Sequence, residues 1–94
     1  MIEKQIKIIN KLGLHARAAA KLVKLASSFD SEIMIHREMK SGDQKTVNGK
    51  SIMGVMMLAA SKGTEITVSA DGDDERPAIE QLELLIKARF EEDE

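Results

Sequence analysis

The clearest periodicity in this sequence lies in the stretch Glu65-Ile66-Thr67-Val68-Ser69-Ala70. Its apolar side chains alternate strictly with polar ones, which is typical of a β-strand with one buried face. Turn residues follow at positions 71–74, and a helix is predicted from there to about Phe90. Pro77 falls in the first turn of that helix, where its missing N–H costs no helical hydrogen bond.

Three more strands are predicted upstream of this stretch. Residues 2–8 alternate isoleucine with polar side chains, apart from Lys4. A second strand is expected around Ile33 and Ile35, and a short third strand at residues 45–48. The polar residues 39–43 between them include a glycine and therefore predict a hairpin loop.

Two helices are predicted between the strands. Residues 16–28 combine an alanine run with an apolar stripe, which favours a helix with one buried face. Ser51 is a natural N-cap for a short apolar helix from Ile52 to about Ala60, and Gly63 is expected to close it.

The predicted order is β-α-β-β-α-β-α, with one hairpin between the second and third strands. This pattern indicates an α+β open-faced β-sandwich, in which three helices pack on one face of a four-stranded antiparallel sheet. The 94 residues suffice for one hydrophobic core, so residues 1–94 are expected to form a single domain.

The composition excludes several classes of function. The absence of cysteine removes disulfides and thiolate ligands, and no metal-ligand spacing is present, so no metal or cofactor is expected. No apolar run approaches the ~20 residues of a membrane span, and no export signal opens the chain. We expect a cytoplasmic protein with no membrane partner. With Phe29 and Phe90 as the only aromatic residues, both expected in buried stripes, no base-stacking surface and no nucleic-acid partner are expected.

The net charge of −2 hides a segregation of charge along the chain. Residues 4–29 contain six basic and no acidic residues, whereas residues 71–94 contain ten acidic and three basic ones. The last four residues, 91–94, are all acidic and are expected to form a solvated, frayed end.

His15 lies where the first helix begins, and there the backbone N–H groups have no helical acceptor. A phosphoryl group transferred to its imidazole would lie among these donors, and Arg17 adds a guanidinium suited to phosphate oxygens. The alternative is that His15 is only a poor helix cap. Lys21 and Lys24 share a helix face with Arg17, which is either a solvated face or a docking surface for an acidic protein.

Ser51 is either a structural N-cap or a phosphorylation site at a helix start. The helix after it is apolar all round, so part of Ile52, Met53 and Met56 is expected to be exposed as a protein docking site. The Gly-Lys-Ser triplet at residues 49–51 does not complete a P-loop, because Gln44 stands where its first glycine is needed. His36, in the second strand, is expected to be an ordinary surface residue.

Two motifs resemble those of one known family. Residues 10–17, Asn-Lys-Leu-Gly-Leu-His-Ala-Arg, resemble the active-site signature of HPr, the histidine phosphocarrier of the bacterial phosphotransferase system. Residues 50–56, Lys-Ser-Ile-Met-Gly-Val-Met, resemble its regulatory-serine segment. The motifs occur in the family's order, and the resemblance extends along nearly the whole chain. The first motif looks like the nitrogen-related branch and the second like the sugar branch.

The resemblance implies a carrier that relays phosphate without being an independent enzyme. His15 would accept a phosphoryl group from phospho-enzyme I, as pros-phosphohistidine, and pass it to an enzyme IIA domain of sugar transport. The backbone of Ala16 and Arg17 and the Arg17 side chain would contact the phosphate. A monomer is expected.

By the same resemblance, Leu14, Ile52 and Met53 would form the apolar docking patch. Ser51 would be modified by an HPr kinase/phosphorylase to slow transfer. The chain departs from the family at Ala18, where proline is usual, and in a loop at residues 39–43 that looks longer than usual. The alternatives are a nitrogen-branch or purely regulatory relative that signals through phosphorylation-dependent protein binding and, more remotely, a ligand-binding regulatory domain.

Overall fold

The computed structural model describes residues 1–92 and contains four strands there: β1 (Ile2–Lys7), β2 (Glu32–Glu38), β3 (Gln44–Asn48) and β4 (Glu65–Asp71). They form one sheet in the order β1-β4-β2-β3, and each neighbouring pair is antiparallel. The strand with the clearest periodicity, β4, therefore lies inside the sheet between β1 and β2.

Burial alternates along the strands as their sequences predict. Ile35 of β2 pairs with Val68 of β4, and Ile6 of β1 pairs with Ile66; all four side chains are buried on the same face. The side chain of Met34, between the buried positions of β2, is partly exposed. One face of the sheet therefore belongs to the core.

Three helices pack on this face: α1 (Ala16–Ser27), α2 (Ile52–Met57) and α3 (Glu75–Lys87). Helix α3 lies against β1 and β4, and α1 contacts both other helices. The predicted α+β open-faced β-sandwich is confirmed. None of the helices in residues 1–92 combines the length and apolarity needed to cross a membrane.

The core contains mainly aliphatic side chains from both layers. The largest fully buried ones are Phe90, Ile8, Leu22, Ile33, Ile35, Leu58, Ile66, Leu82 and Ile86. Full burial of one such side chain contributes about 1.5–3 kcal/mol. Phe90 lies beyond α3 and fixes the chain after that helix, whereas Phe29 is only partly buried.

Helix α2 is shorter than its sequence predicts. It ends at Met57, not near Ala60, and Ala59 adopts a left-handed conformation with φ of 52°. The guanidinium of Arg37 in β2 donates to the carbonyl oxygens of Leu58 (2.8 Å) and Ala59 (2.9 Å), which have left the helix. Gly63 does not close the helix; its amide donates to the Ile8 carbonyl oxygen (2.7 Å) in the turn before β4.

The C-terminal helix also ends before its predicted limit. After α3 the chain forms a C-terminal turn (Arg89–Glu91), in which all three residues have φ between 54° and 64°. Asp74 begins α3, but its side chain does not cap that helix. Its carboxylate instead accepts hydrogen bonds from Ser31 Oγ and from the amides of Asp30 (2.8 Å) and Ser31 (2.9 Å). These bonds hold the pKa of Asp74 below its usual range and tie α3 to the segment before β2.

Candidate functional site

The loop that precedes α1 is tied to the core at both ends. Asn10 is fully buried, and its Nδ2 donates to the carbonyl oxygen of Gly13 (2.8 Å). Gly13 has φ of 67°, which an L side chain rarely adopts. The amide of Leu14 donates to the Ala60 carbonyl oxygen (2.9 Å), so the loop lies against the segment that follows α2. His15 therefore leaves a rigid loop.

His15 occupies the N-cap position of α1, as its sequence predicts. Its backbone is extended and its side chain makes no capping bond, while its carbonyl oxygen accepts from the Ala19 amide (2.8 Å). The amides of Ala16, Arg17 and Ala18 precede this first helical bond and have no intrahelical acceptor. The His15 side chain is 26% exposed, and the Arg17 side chain is exposed. Imidazole, guanidinium and free amides thus meet at one helix end.

A carboxylate not anticipated from the sequence lies against the imidazole. Glu92 Oε2 is 2.6 Å from His15 Nε2, and Glu92 Oε1 accepts from Asn10 Nδ2 at 2.9 Å. The Glu92 side chain is only 16% exposed, so the prediction of a frayed acidic end is wrong at this residue. Glu91 is 71% exposed, as predicted, and residues 93–94 lie outside the described range.

The hydrogen bonds made by Glu92 stabilise its ionised form. The bond from Asn10 is the largest cause that lowers the pKa of the Glu92 carboxyl, followed by the bond and charge of His15 and the charge of Lys21, against a smaller number of buried contacts that raise it. No local pattern pairs residues 15 and 92, because the contact joins opposite ends of the chain and requires the folded core.

The basic face of α1 is only partly solvated. Lys21 Nζ donates to the carbonyl oxygen of Phe90 (2.7 Å) and lies 4.0 Å from Glu91 Oε1, so Lys21 holds the C-terminal turn in place. Lys24 is exposed. Of the two lysines predicted to share a docking face, only Lys24 is thus free of contacts with the C-terminal turn among the described residues.

Ser51 begins α2 and caps it as predicted. Its Oγ accepts from the amide of Gly54 (3.1 Å). The next turns expose a set of apolar side chains that we call the apolar patch: Ile52, Met53, Met56 and Met57. Met53 is the most exposed of them, at 72%. The predicted exposure of Ile52, Met53 and Met56 is confirmed.

Leu14 is corrected by the structure. The resemblance placed it in the docking patch, but its side chain is only 5% exposed and belongs to the core. Leu12, in the same loop, is exposed instead. His36 lies in β2, where its side chain is partly exposed on the face opposite Ile33 and Ile35, as predicted. Within residues 1–92, no cluster of three His, Cys, Asp or Glu side chains is placed to hold a metal ion.

Comparison with known proteins agrees with this arrangement. The family model described as "PTS HPr component phosphorylation site" matches residues 2–88. The chain belongs to the HPr family. The phosphocarrier protein HPr of Xylella fastidiosa is 50% identical over 93 residues, which cover 99% of each chain. This protein is accordingly an HPr-type phosphocarrier of the phosphotransferase system, which favours the carrier over the ligand-binding and nucleic-acid-binding alternatives.

Two solved HPr structures resemble the model. A crystal structure of HPr-C-His from Thermoanaerobacter tengcongensis has a TM-score of 0.86 and 47% identity, with 100% of both chains covered. A crystal structure described as an HPr dimer from the same organism has a TM-score of 0.74 and 49% identity, covering 98% of this chain and 100% of the other. The expectation that the present HPr is a monomer therefore stays a prediction.

Proposed function

We propose that this HPr accepts a phosphoryl group at His15 from phospho-enzyme I and passes it to an enzyme IIA domain. The observation that carries the proposal is the position of the imidazole at the start of α1, within a chain whose family is described by its phosphorylation site. In this relay the protein is an intermediate substrate, and the donor and acceptor proteins supply the catalysis.

The local geometry suits a transferred phosphoryl group. Of the two ring nitrogens, Nδ1 lies nearer the main chain, and the family resemblance makes it the acceptor. A phosphoryl group there would lie close to the amides of Ala16 and Arg17, which have no helical acceptor, and to the positive end of the helix dipole. The exposed Arg17 guanidinium can reach phosphate oxygens without breaking an ion pair described in residues 1–92.

The apolar patch beside the site is suited to a protein partner. Ile52, Met53, Met56 and Met57 are all exposed, and methionine adapts to varied apolar surfaces. The loop of His15 lies against the chain that follows α2, through the bond between Leu14 and Ala60. A partner that covers the patch would therefore also approach the imidazole, and Lys24 would face acidic groups on that partner.

Ser51 is the proposed regulatory site, phosphorylated by an HPr kinase/phosphorylase. Its hydroxyl is half-buried at the start of α2, directly before Ile52 and Met53. A phosphate there would add about −2 charges beside the apolar patch, and a charge that must be desolvated opposes docking. We expect phosphorylation of Ser51 to slow transfer without unfolding the protein.

The relay is tested with phosphoenolpyruvate and enzyme I from the same cell. Wild-type protein should gain an acid-labile phosphate, His15→Ala should gain none, and His36→Ala is the matched control, because His36 is the only other histidine. Label on His15→Ala equal to that on wild type would refute the site.

A second step separates carriers from regulators. Purified phosphoprotein is mixed with candidate enzyme IIA domains of the sugar and nitrogen branches, and loss of its label to one of them identifies the acceptor. A phosphate that stays on His15 with every acceptor would favour the purely regulatory alternative. For Ser51, a cognate kinase and ATP should label wild type but not Ser51→Ala.

A further inference from the structure

The C-terminal turn holds an unfavourable backbone conformation. Arg89, Phe90 and Glu91 have φ values of 57°, 54° and 64°, a region that L residues rarely occupy even singly. Two contacts hold them there: the Phe90 ring is fully buried, and its carbonyl oxygen accepts from Lys21 Nζ at 2.7 Å. Such strain persists where the surrounding structure imposes it, and it is frequent at functional sites.

The turn directs Glu92 onto His15. The carboxylate is held at both oxygens, with Oε1 accepting from Asn10 Nδ2 (2.9 Å) and Oε2 lying 2.6 Å from His15 Nε2. The Asn10 amide can only donate here, because its second contact is the carbonyl oxygen of Gly13 (2.8 Å). The same buried asparagine therefore orients both the loop before His15 and the carboxylate against its ring.

We propose that Glu92 is a positioning residue for phosphoryl transfer at His15. An ionised carboxylate accepts hydrogen bonds and donates none, so the imidazole nitrogen facing it must carry the proton. With the proton on Nε2, the lone pair of the neutral ring is on Nδ1, the proposed acceptor atom. Glu92 thus selects the tautomer that can attack phosphorus. This inference rests on the relay proposed above.

The carboxylate also matches the charge that develops during transfer. Nδ1 forms a bond to phosphorus while the bond between phosphorus and the imidazole nitrogen of the donor protein breaks, and the electron pair of that bond returns to the donor ring. The His15 ring then carries phosphate on Nδ1 and a proton on Nε2, and hence a positive charge beside Glu92 Oε2. No proton has to move, and delivery to an acceptor histidine reverses these steps. Lys21, near the same carboxylate, remains paired with the Phe90 carbonyl.

The tautomer can be measured without any partner protein, by ¹⁵N NMR of the His15 ring in the unphosphorylated protein. Wild type should show a protonated Nε2 and an unprotonated Nδ1. Glu92→Ala should show a mixture of both tautomers, whereas Glu92→Gln retains an acceptor oxygen and should stay closer to wild type. Glu91→Gln is the matched control, since it removes one charge from the adjacent, exposed residue. An unchanged tautomer ratio in Glu92→Ala would overturn the proposal.

The phosphorylation rate tests the role of charge. With the same enzyme I, Glu92→Ala and Glu92→Gln should be phosphorylated roughly 10- to 100-fold more slowly than wild type, the usual effect of losing a group that orients a histidine. Glu91→Gln should keep the wild-type rate. If wild type itself takes no phosphate, the relay fails and the NMR result still stands alone. If wild type is phosphorylated and both Glu92 variants match its rate, the positioning role is refuted.

Discussion

Replacing Gly13 by alanine tests how closely the His15 loop approaches the segment after α2. A Cβ at this position would lie 2.5 Å from the carbonyl oxygen of Ala60 and 2.8 Å from the Cα of Ser61. Both are backbone atoms, which cannot rotate away as the end of a flexible side chain can. Gly13 also has a positive φ, so alanine would be strained there even in open space.

Gly63 separates these two costs. It also has a positive φ, but a Cβ there would meet no atom within 4 Å. Gly63→Ala should therefore lose only the conformational term, about 1–2 kcal/mol of the free energy of unfolding. Gly13→Ala should lose this amount and a further 1–3 kcal/mol or so for the steric overlap. We expect a total of about 2–5 kcal/mol.

Urea unfolding of the two variants measures the difference. With a slope of about 2 kcal/mol per molar urea, the midpoint of Gly13→Ala should fall about 0.5–1.5 M below that of Gly63→Ala. Hydrogen exchange of the Leu14 amide, which donates to Ala60, should also accelerate in Gly13→Ala alone. Equal midpoints for the two variants would refute the close approach of the loop and with it the rigid placement of His15.

Two further predictions concern other contacts. Asp74→Asn should destabilise the protein at pH 7, because the lowered pKa of Asp74 stabilises the fold above the pKa of the unfolded chain, near 4, and this contribution is lost as the pH falls through the folded value; urea midpoints from pH 7 to 3 should therefore converge with wild type in acid, while exposed Asp73→Asn stays close to wild type throughout. Ala18→Pro should leave phosphorylation by enzyme I essentially unchanged, since the amide of Ala18 precedes the first helical bond of α1; acceptor activity that appears only with proline would contradict this.

The regular elements were predictable because local patterns determine them. The alternation in β4 and the apolar stripe of α1 each reflect which side chains face the core, and the structure buries those side chains. Ser51 was recognisable as an N-cap because the cap bond spans only three residues. The position of His15 at a helix start follows from the same local rules.

The ends of α2 and α3 were not predictable from local sequence. Arg37, from a strand, satisfies the carbonyl oxygens at the end of α2, and this bond depends on the folded sheet. Burial of Phe90 imposes the left-handed turn after α3, against the preference of its residues. Glu92 could be found at His15 only once both ends of the chain were placed. Its acidic neighbours predict a solvated tail when read alone.

The place of β4 within the sheet has a consequence for synthesis on the ribosome. This strand pairs with β1 on one side and β2 on the other, yet it is the last of the four strands to be translated. Until residue 71 leaves the exit tunnel, β1 has no partner and only the β2-β3 hairpin can form its strand pairing. Assembly of the sheet is thus nearly post-translational, and the nascent chain carries an unpaired β1 that chaperones can bind.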